Sequence, residues 1–382
     1  MTRSHPLPDL VVVGGGVIGL AVTREGARRG LRVSLVERGE PGMEATWASA
    51  GMLSPIGEVT SAGPFLDLAL RSFDGYPPWV RSVEEESGVE VEYRECGKLQ
   101  VATSDEAAAR LKARRSLAEA HGLATDWLAP REVRELEPSV ASSVQGGLLL
   151  HRDHRVDGRS LARALRASAA RAGAEILAGR EAREILWNGT RVSGVALADG
   201  SALACGSVLL AAGAWSGRLA GLPHPIPVRP VRGQMLALMS RDVTLRRVVE
   251  SDNVYLVPRD DGRVLVGATV EEAGFVKACT VAGVGQLLTS ALALCPALAG
   301  AEILESWSGL RPGTPDGLPI LGPSPEAEGL VVATGHFRNG ILLAPATARA
   351  VGELLTEGRS ALLAPEFSPS RFAREAARTE RR

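Results

Sequence analysis

Two periods of apolar spacing alternate along the chain. Leu10 to Val13 is an unbroken apolar run, as expected for a strand buried on both faces. Gly14-Gly15-Gly16-Val17-Ile18-Gly19 follows at once, and Leu20 to Arg29 then takes helical spacing that Gly30 stops. Leu31 to Val36 reverts to strand and Glu37 ends it. The order strand, glycine turn, helix, strand predicts a βαβ unit.

Further along, Phe65 to Gly88 predicts helix, Arg94 to Thr103 strand, and Asp105 to His121 helix closed by Gly122. A second α/β stretch begins near Leu148, with a helix over Ser160 to Ala172. Short strands surround Ile176, Ile185 and Val195, with turns at Asn188-Gly189 and Asp199-Gly200. Val208 to Ala211 is another buried run. Proline punctuation between Pro223 and Pro230 marks a crossing between domains, before strands near Met235, Tyr255 and Val264. Leu330 to Ala333 reads as strand and Ile341 to Leu355 as helix. Arg311 falls between two turn-forming segments, as a loop residue aimed into a cleft would. The charged tail after Pro365 predicts loose chain.

Ala278 to Ala301 carries no charge over 24 positions, enough for a membrane span. Its Gly, Gln, Ser, Thr and Pro residues instead predict a partly buried amphipathic helix ending near Cys295-Pro296, and no membrane association. Composition narrows the classes further. The 382 residues suit two domains, and 45% apolar with 23% charged residues excludes a largely disordered chain. A net charge of −1 argues against nucleic acid as a partner. Cys96, Cys205, Cys279 and Cys295 form no CxxC pair, so neither a zinc site nor a disulfide framework is expected, and no metal. A cytoplasmic location is the expectation.

Gly14, Gly16 and Gly19 make G-x-G-x-x-G. The first permits the tight turn, the second lets backbone approach a pyrophosphate, and the third lets helix pack closely on strand. The helix N-terminus offers its free N–H groups and positive dipole end to the phosphates. Glu37 lies at about the offset of a carboxylate on the ribose hydroxyls, which disfavours NADP. These residues leave FAD and NAD both open. The small and hydroxyl residues from Thr46 to Leu53 suit a long cofactor lying extended against backbone.

The N-terminal unit, Ser49-Ala50-Gly51-Met52, Val208 to Trp215, Gly309-Leu310-Arg311-Pro312, Thr314 to Pro319 and, most specifically, Gly335-His336-Phe337-Arg338-Asn339-Gly340 recur together in one family. Over residues 9 to 357 the chain resembles the FAD-dependent glycine/D-amino-acid oxidases, and within them the glycine oxidase branch of the thiamine-biosynthesis type. The resemblance implies an α/β fold with a discontinuous Rossmann-type FAD-binding domain (1–90, 146–220 and 312–365). A substrate domain with an antiparallel sheet (91–145 and 221–311) and a tail (366–382) complete it. It implies non-covalent FAD. No cysteine follows Cys295, which disfavours the covalent-flavin relatives. By position, Val17, Ile18, Glu37 and Arg38 match the dinucleotide contacts. Ala45, Thr46, Ala50, Gly51 and Met52 match contacts along the pyrophosphate and flavin, and Ala182 the adenine contact. His336, Phe337, Arg338, Asn339, Gly340, Ile341 and Leu342 match the loop and helix start beneath the flavin ring. A helix beginning near Gly340 would aim its positive end at the flavin and favour the anionic reduced form.

The resemblance also implies a substrate site. Arg311 and Arg338 match two substrate arginines, whose planar forks suit a carboxylate, and Tyr255 matches a pocket tyrosine. The expected reaction is oxidative deamination of glycine, and of sarcosine or small D-amino acids, to imine or 2-oxo acid, with oxygen reduced to hydrogen peroxide. The glycine imine would supply thiazole synthesis. No catalytic side chain is expected, because the flavin carries the chemistry. Val270 replaces a methionine common in such enzymes, which bears on substrate size. Alternatives are a sarcosine or D-amino-acid oxidase or dehydrogenase of the same fold, and a non-catalytic flavin-binding subunit. The family implies a homo-oligomer such as a tetramer.

Overall fold

The computed structural model describes residues 7–57, 59, 61–325 and 327–372. Leu10–Val13 is the central strand of a six-stranded sheet. It pairs in parallel with Val33–Glu37 on one side and Ser207–Leu210 on the other. Glu175–Ala178, Leu330–Thr334 and the antiparallel edge strand Ile320–Pro323 complete the sheet. Its apolar strands are covered on both sides, which is why they read as continuous runs. Helices Val17–Arg28, Gly158–Arg171 and Gly340–Glu357 pack on one face. A small antiparallel sheet, Ala182–Asn188, Arg191–Leu197 and Ala202–Ala204, packs on the other. This α/β arrangement is the fold class the sequence predicts.

Gly14 has φ +110° and an added β-carbon would sit 2.5 Å from the Ala211 carbonyl oxygen, so the turn after the first strand requires glycine. Pro345 interrupts the helix Gly340–Glu357, and the Ser72 hydroxyl bridges the break. It donates to the Leu342 carbonyl and accepts from the Ala346 N–H.

The second sheet has eight strands and is antiparallel except for one pair. In spatial order the strands are Glu302–Gly313, Arg229–Met239, Arg263–Gly267, Tyr255–Pro258, Val248–Glu250, Lys98–Ala102, Gly146–Leu150 and Thr125–Leu128. Side chains alternate between its faces. Leu99, Leu236, Val249, Leu256 and Val266 face the helix Val281–Leu294. Met235, Val248, Val257 and Leu265 face the opposite way, toward Ala48 and Ala50.

The structure corrects several expectations. Arg311 is not in a loop but inside the 12-residue strand Glu302–Gly313. Gly146–Leu150, expected to open the second FAD-binding segment, pairs antiparallel with both neighbours in the eight-stranded sheet. The start of the tail is anchored: Phe367 is buried in the core and Arg371 pairs with Asp316 at 2.7 Å. Residues 373–382 of that tail lie outside the described residues. The uncharged segment forms the 14-residue helix Val281–Leu294, which buries Gly283, Leu287, Ala291 and Leu294 along one stripe. Among the described residues no helix is long and apolar enough to cross a membrane.

Candidate active site

A cleft of about 690 Å³ runs between the two sheets. One wall comes from the parallel-sheet unit. Gly16, Val17 and Ile18 line it at the start of the helix Val17–Arg28, with Glu37 and Arg38 at the end of the next strand. The Glu37 carboxylate accepts from the Gly15 N–H at 2.8 Å and from the Gly39 N–H at 3.0 Å, which fixes it beside the glycine turn. Arg38 stacks on Trp215 and pairs with Glu44 at 2.7 Å. Thr46 accepts the Val17 N–H at 2.9 Å, tying Ala45–Ala48 to the helix start. Ala45, Ala50, Gly51, Met52 and Ala182 also line the cleft.

His336, Phe337, Arg338, Asn339, Gly340 and Ile341 form the next stretch of wall. Phe337 is left-handed (φ 49°), and its N–H donates to the Pro312 carbonyl at 3.1 Å. The loop is thus bonded to the strand that carries Arg311. His336 is buried against Thr347, with Nε2 3.1 Å from its hydroxyl. Burial pushes the imidazole down to about 3, so it is neutral at physiological pH.

The eight-stranded sheet forms the roof. Its register sets one row straight across: Trp307, Met235, Gly267, Tyr255, Glu250 and Gln100. Members of such a row share a face. Tyr255 covers bare Gly267 and reaches Met235 Sδ at 3.7 Å. Arg311 also lines the cleft; its Nη1 donates to the Thr269 carbonyl at 3.1 Å. Its guanidinium occupies the space a β-carbon on Gly233 would need.

Of the residues singled out from sequence, Gly19 and Leu342 alone do not line this cleft. Gly19 packs against the Gly14 carbonyl, where a β-carbon would collide with backbone. Leu342 is buried in the core. Three features escaped the sequence reading. Arg259, buried, donates to the Ala50 carbonyl at 2.9 Å and the Val156 carbonyl at 3.2 Å, and so pins Ala50 to the roof. Trp215 stacks under Arg38. Lys98, Asp153, Glu250 and Ser54 form a buried polar cluster at the far end of the cleft. Arg259 follows Pro258 on a readable strand, but nothing in its spacing points to its partners.

The cleft fits a dinucleotide. Two helices, Val17–Arg28 and Gly340–Glu357, open their N-termini into it, and in neither does the N-cap residue's own side chain cap the first turn, although Thr46 takes the Val17 N–H. The remaining first-turn amides suit a pyrophosphate at one and an electron-rich ring edge at the other. A β-carbon on Gly16 would meet only Thr46 Oγ1, at 3.6 Å, so the backbone there faces open space. The family model for FAD dependent oxidoreductases matches residues 9–354. The chain belongs to the FAD-dependent oxidoreductase family.

Among individual relatives of this FAD-dependent oxidoreductase, the glycine oxidase of Pseudomonas aeruginosa is 39% identical over 358 residues, 93% of this chain and 96% of that protein. The bifunctional protein ThiO/ThiG of Trichormus variabilis is 36% identical over 375 residues, 97% of this chain. The chain spans 56% of that bifunctional protein's length. The crystal structure of glycine oxidase from Geobacillus kaustophilus superposes with a TM-score of 0.92 at 36% identity, covering 95% of this chain and 98% of the other. The cofactor of the family is FAD.

Proposed function

We propose that this FAD-dependent oxidoreductase oxidises glycine to its imine, with oxygen as electron acceptor. The observation that carries the reading is the roof over the two helix N-termini. There Arg311 crosses bare Gly233 and Tyr255 crosses bare Gly267, on one face of one sheet. A planar guanidinium beside a phenol suits a small carboxylate. Bound FAD supplies a two-electron acceptor for the Cα hydride and returns the electrons to oxygen as hydrogen peroxide. The protein's part is to hold the amino acid by its carboxylate at Arg311 and Tyr255, with Arg338 at the mouth. Phosphates and flavin are held along Gly14 to Ile18, Glu37, Arg38, Ala45 to Met52, Ala182 and His336 to Ile341. His336, neutral and bonded to Thr347, takes no proton from the substrate.

The glycine oxidase and ThiO/ThiG relatives support this substrate and a role for the imine in thiazole synthesis for thiamine. Sarcosine and small D-amino acids form a second reading. Val270 lines the cleft and is half exposed, and its small side chain favours this reading. On this reading the parallel-sheet unit is the FAD domain and the eight-stranded sheet the substrate domain, in a cytoplasmic homo-oligomer.

Anaerobic mixing of the purified yellow protein with glycine tests the proposal. Bleaching of the visible flavin band, with colour and peroxide returning on air, is expected. A yellow protein that glycine leaves unchanged would refute the substrate, and sarcosine and D-alanine would then be tried. A colourless protein that FAD cannot reconstitute would refute the cofactor site.

A further inference from the structure

Beyond Tyr255 the roof does not end in apolar side chains. The next residue in the row is Glu250, on the adjacent strand and directly opposite Tyr255. Neighbouring strands lie about 4.8 Å apart, so Glu250 starts one strand spacing from the Tyr255 backbone, on the side away from Gly267, over which the phenol leans. Glu250 is held from behind. Lys98 Nζ lies 3.0 Å from Oε2, and the Gln100 amide donates to the same oxygen at 2.8 Å. Lys98 is itself buried, donates to Ser54 Oγ at 2.7 Å and lies 3.5 Å from Asp153.

Both donors therefore fix Oε2, and Oε1 accepts no hydrogen bond among the described residues. The Glu250 side chain stays 24% exposed, against 3% for Lys98. Glu250 lines the cleft and also the smaller hollow beside Arg114 that adjoins it. Lys98 lies between two carboxylates, Asp153 and Glu250, and Arg114 is a second cation close enough to act on Glu250. Arg114 donates to the Gln100 side-chain amide oxygen at 3.1 Å, so neither cation is bonded to Glu250 Oε1.

We propose that Glu250 is a specificity-determining residue, whose Oε1 selects amino-acid substrates carrying an N–H donor or cationic group beyond Cα and rejects those carrying a second carboxylate. The inference rests on the proposed binding of the substrate carboxylate at Arg311 and Tyr255. A substrate anchored there extends along the row toward Glu250. A second carboxylate then meets an oxygen that has no proton to share. An ammonium or amide meets a preformed acceptor whose orientation is already fixed, so little entropy is lost on pairing.

The test uses the full-length holoenzyme and carboxylates that lack an α-amino group: butyrate, succinate and 4-aminobutyrate. Their dissociation constants are read from perturbation of the visible flavin band, without turnover. The wild type is expected to bind 4-aminobutyrate at least about tenfold more tightly than succinate, a difference that a single fixed charge readily supplies. In Glu250→Gln that ratio should collapse toward one, while Glu250→Asp should keep its direction. Butyrate binding with the same succinate to 4-aminobutyrate ratio in wild type and Glu250→Gln would overturn the assignment of Glu250. If no carboxylate perturbs the flavin band and glycine does not bleach it, the substrate site itself is misplaced and this inference falls with it.

Discussion

The Arg311 guanidinium lies against the backbone at Gly233, one strand over, where the absence of a β-carbon makes room for it. Gly233 pairs with Gly309 and Arg311 with Val231, so the arginine reaches diagonally across the ladder. The guanidinium is the flexible end of its side chain, and a methyl group at 233 displaces it rather than the strand. Gly233→Ala is therefore expected to fold and hold FAD. KM for glycine should rise roughly tenfold or more, because a misplacement near 1 Å at a positioning group is costly. Steady-state kinetics with a flavin absorbance spectrum checks both halves.

Removing the guanidinium outright should be more severe. On the proposed binding mode, Arg311→Ala leaves the substrate carboxylate unpaired in a partly buried cleft, a loss of about 2–5 kcal/mol by analogy with truncated charge pairs. The expected result is a fall in kcat/KM of at least about thirtyfold with normal flavin content. Retention of full activity would remove Arg311 from the site.

His336 carries a pH signature. Its folded pKa, lowered by burial to about 3, lies below the ordinary value of 6.5. Between these values the unfolded chain binds more protons, so stability rises with pH there and is lost as pH falls below 6.5. The cost by pH 5 is about 2 kcal/mol for this group alone. His336→Gln can keep a hydrogen bond to Thr347 without titrating, and its denaturation midpoint should change less between pH 7 and pH 5 than the wild type's. An equal change in both proteins would show that His336 does not titrate as its burial requires.

The N-terminal unit was legible because its signals are local: one apolar run, one glycine turn and one helix stop within forty residues. The strand Glu302–Gly313 was not, and the reason is physical. Gly309 and Pro312 read as turn residues, yet Gly309 is bare because Ala48 packs where its β-carbon would be. Glycines at 233, 267 and 309 mark close approach, not chain reversal. Sequence cannot tell these uses apart when the approaching group lies far away along the chain. The Lys98–Glu250 cluster was hidden for the same reason. Lys98 and Glu250 are far apart along the chain and meet through the pairing of two strands, and Ser54 and Asp153 join them from other segments. Positions carried over by family resemblance fell at the cleft, except Leu342, which is buried in the core; Gly19, read from the glycine motif as a packing residue, packs against the Gly14 carbonyl.

The row from Trp307 to Gln100 has a consequence for how such a protein diversifies. Each rung comes from a different strand, and the residues flanking each rung point to the opposite face, where apolar side chains meet the helix Val281–Leu294. Ancestry can therefore rewrite one rung without disturbing the scaffold that carries the others. A lineage could exchange Glu250 for a neutral or cationic residue and gain a new diet, while the arginine, the tyrosine and the cofactor cradle pass unchanged to its descendants.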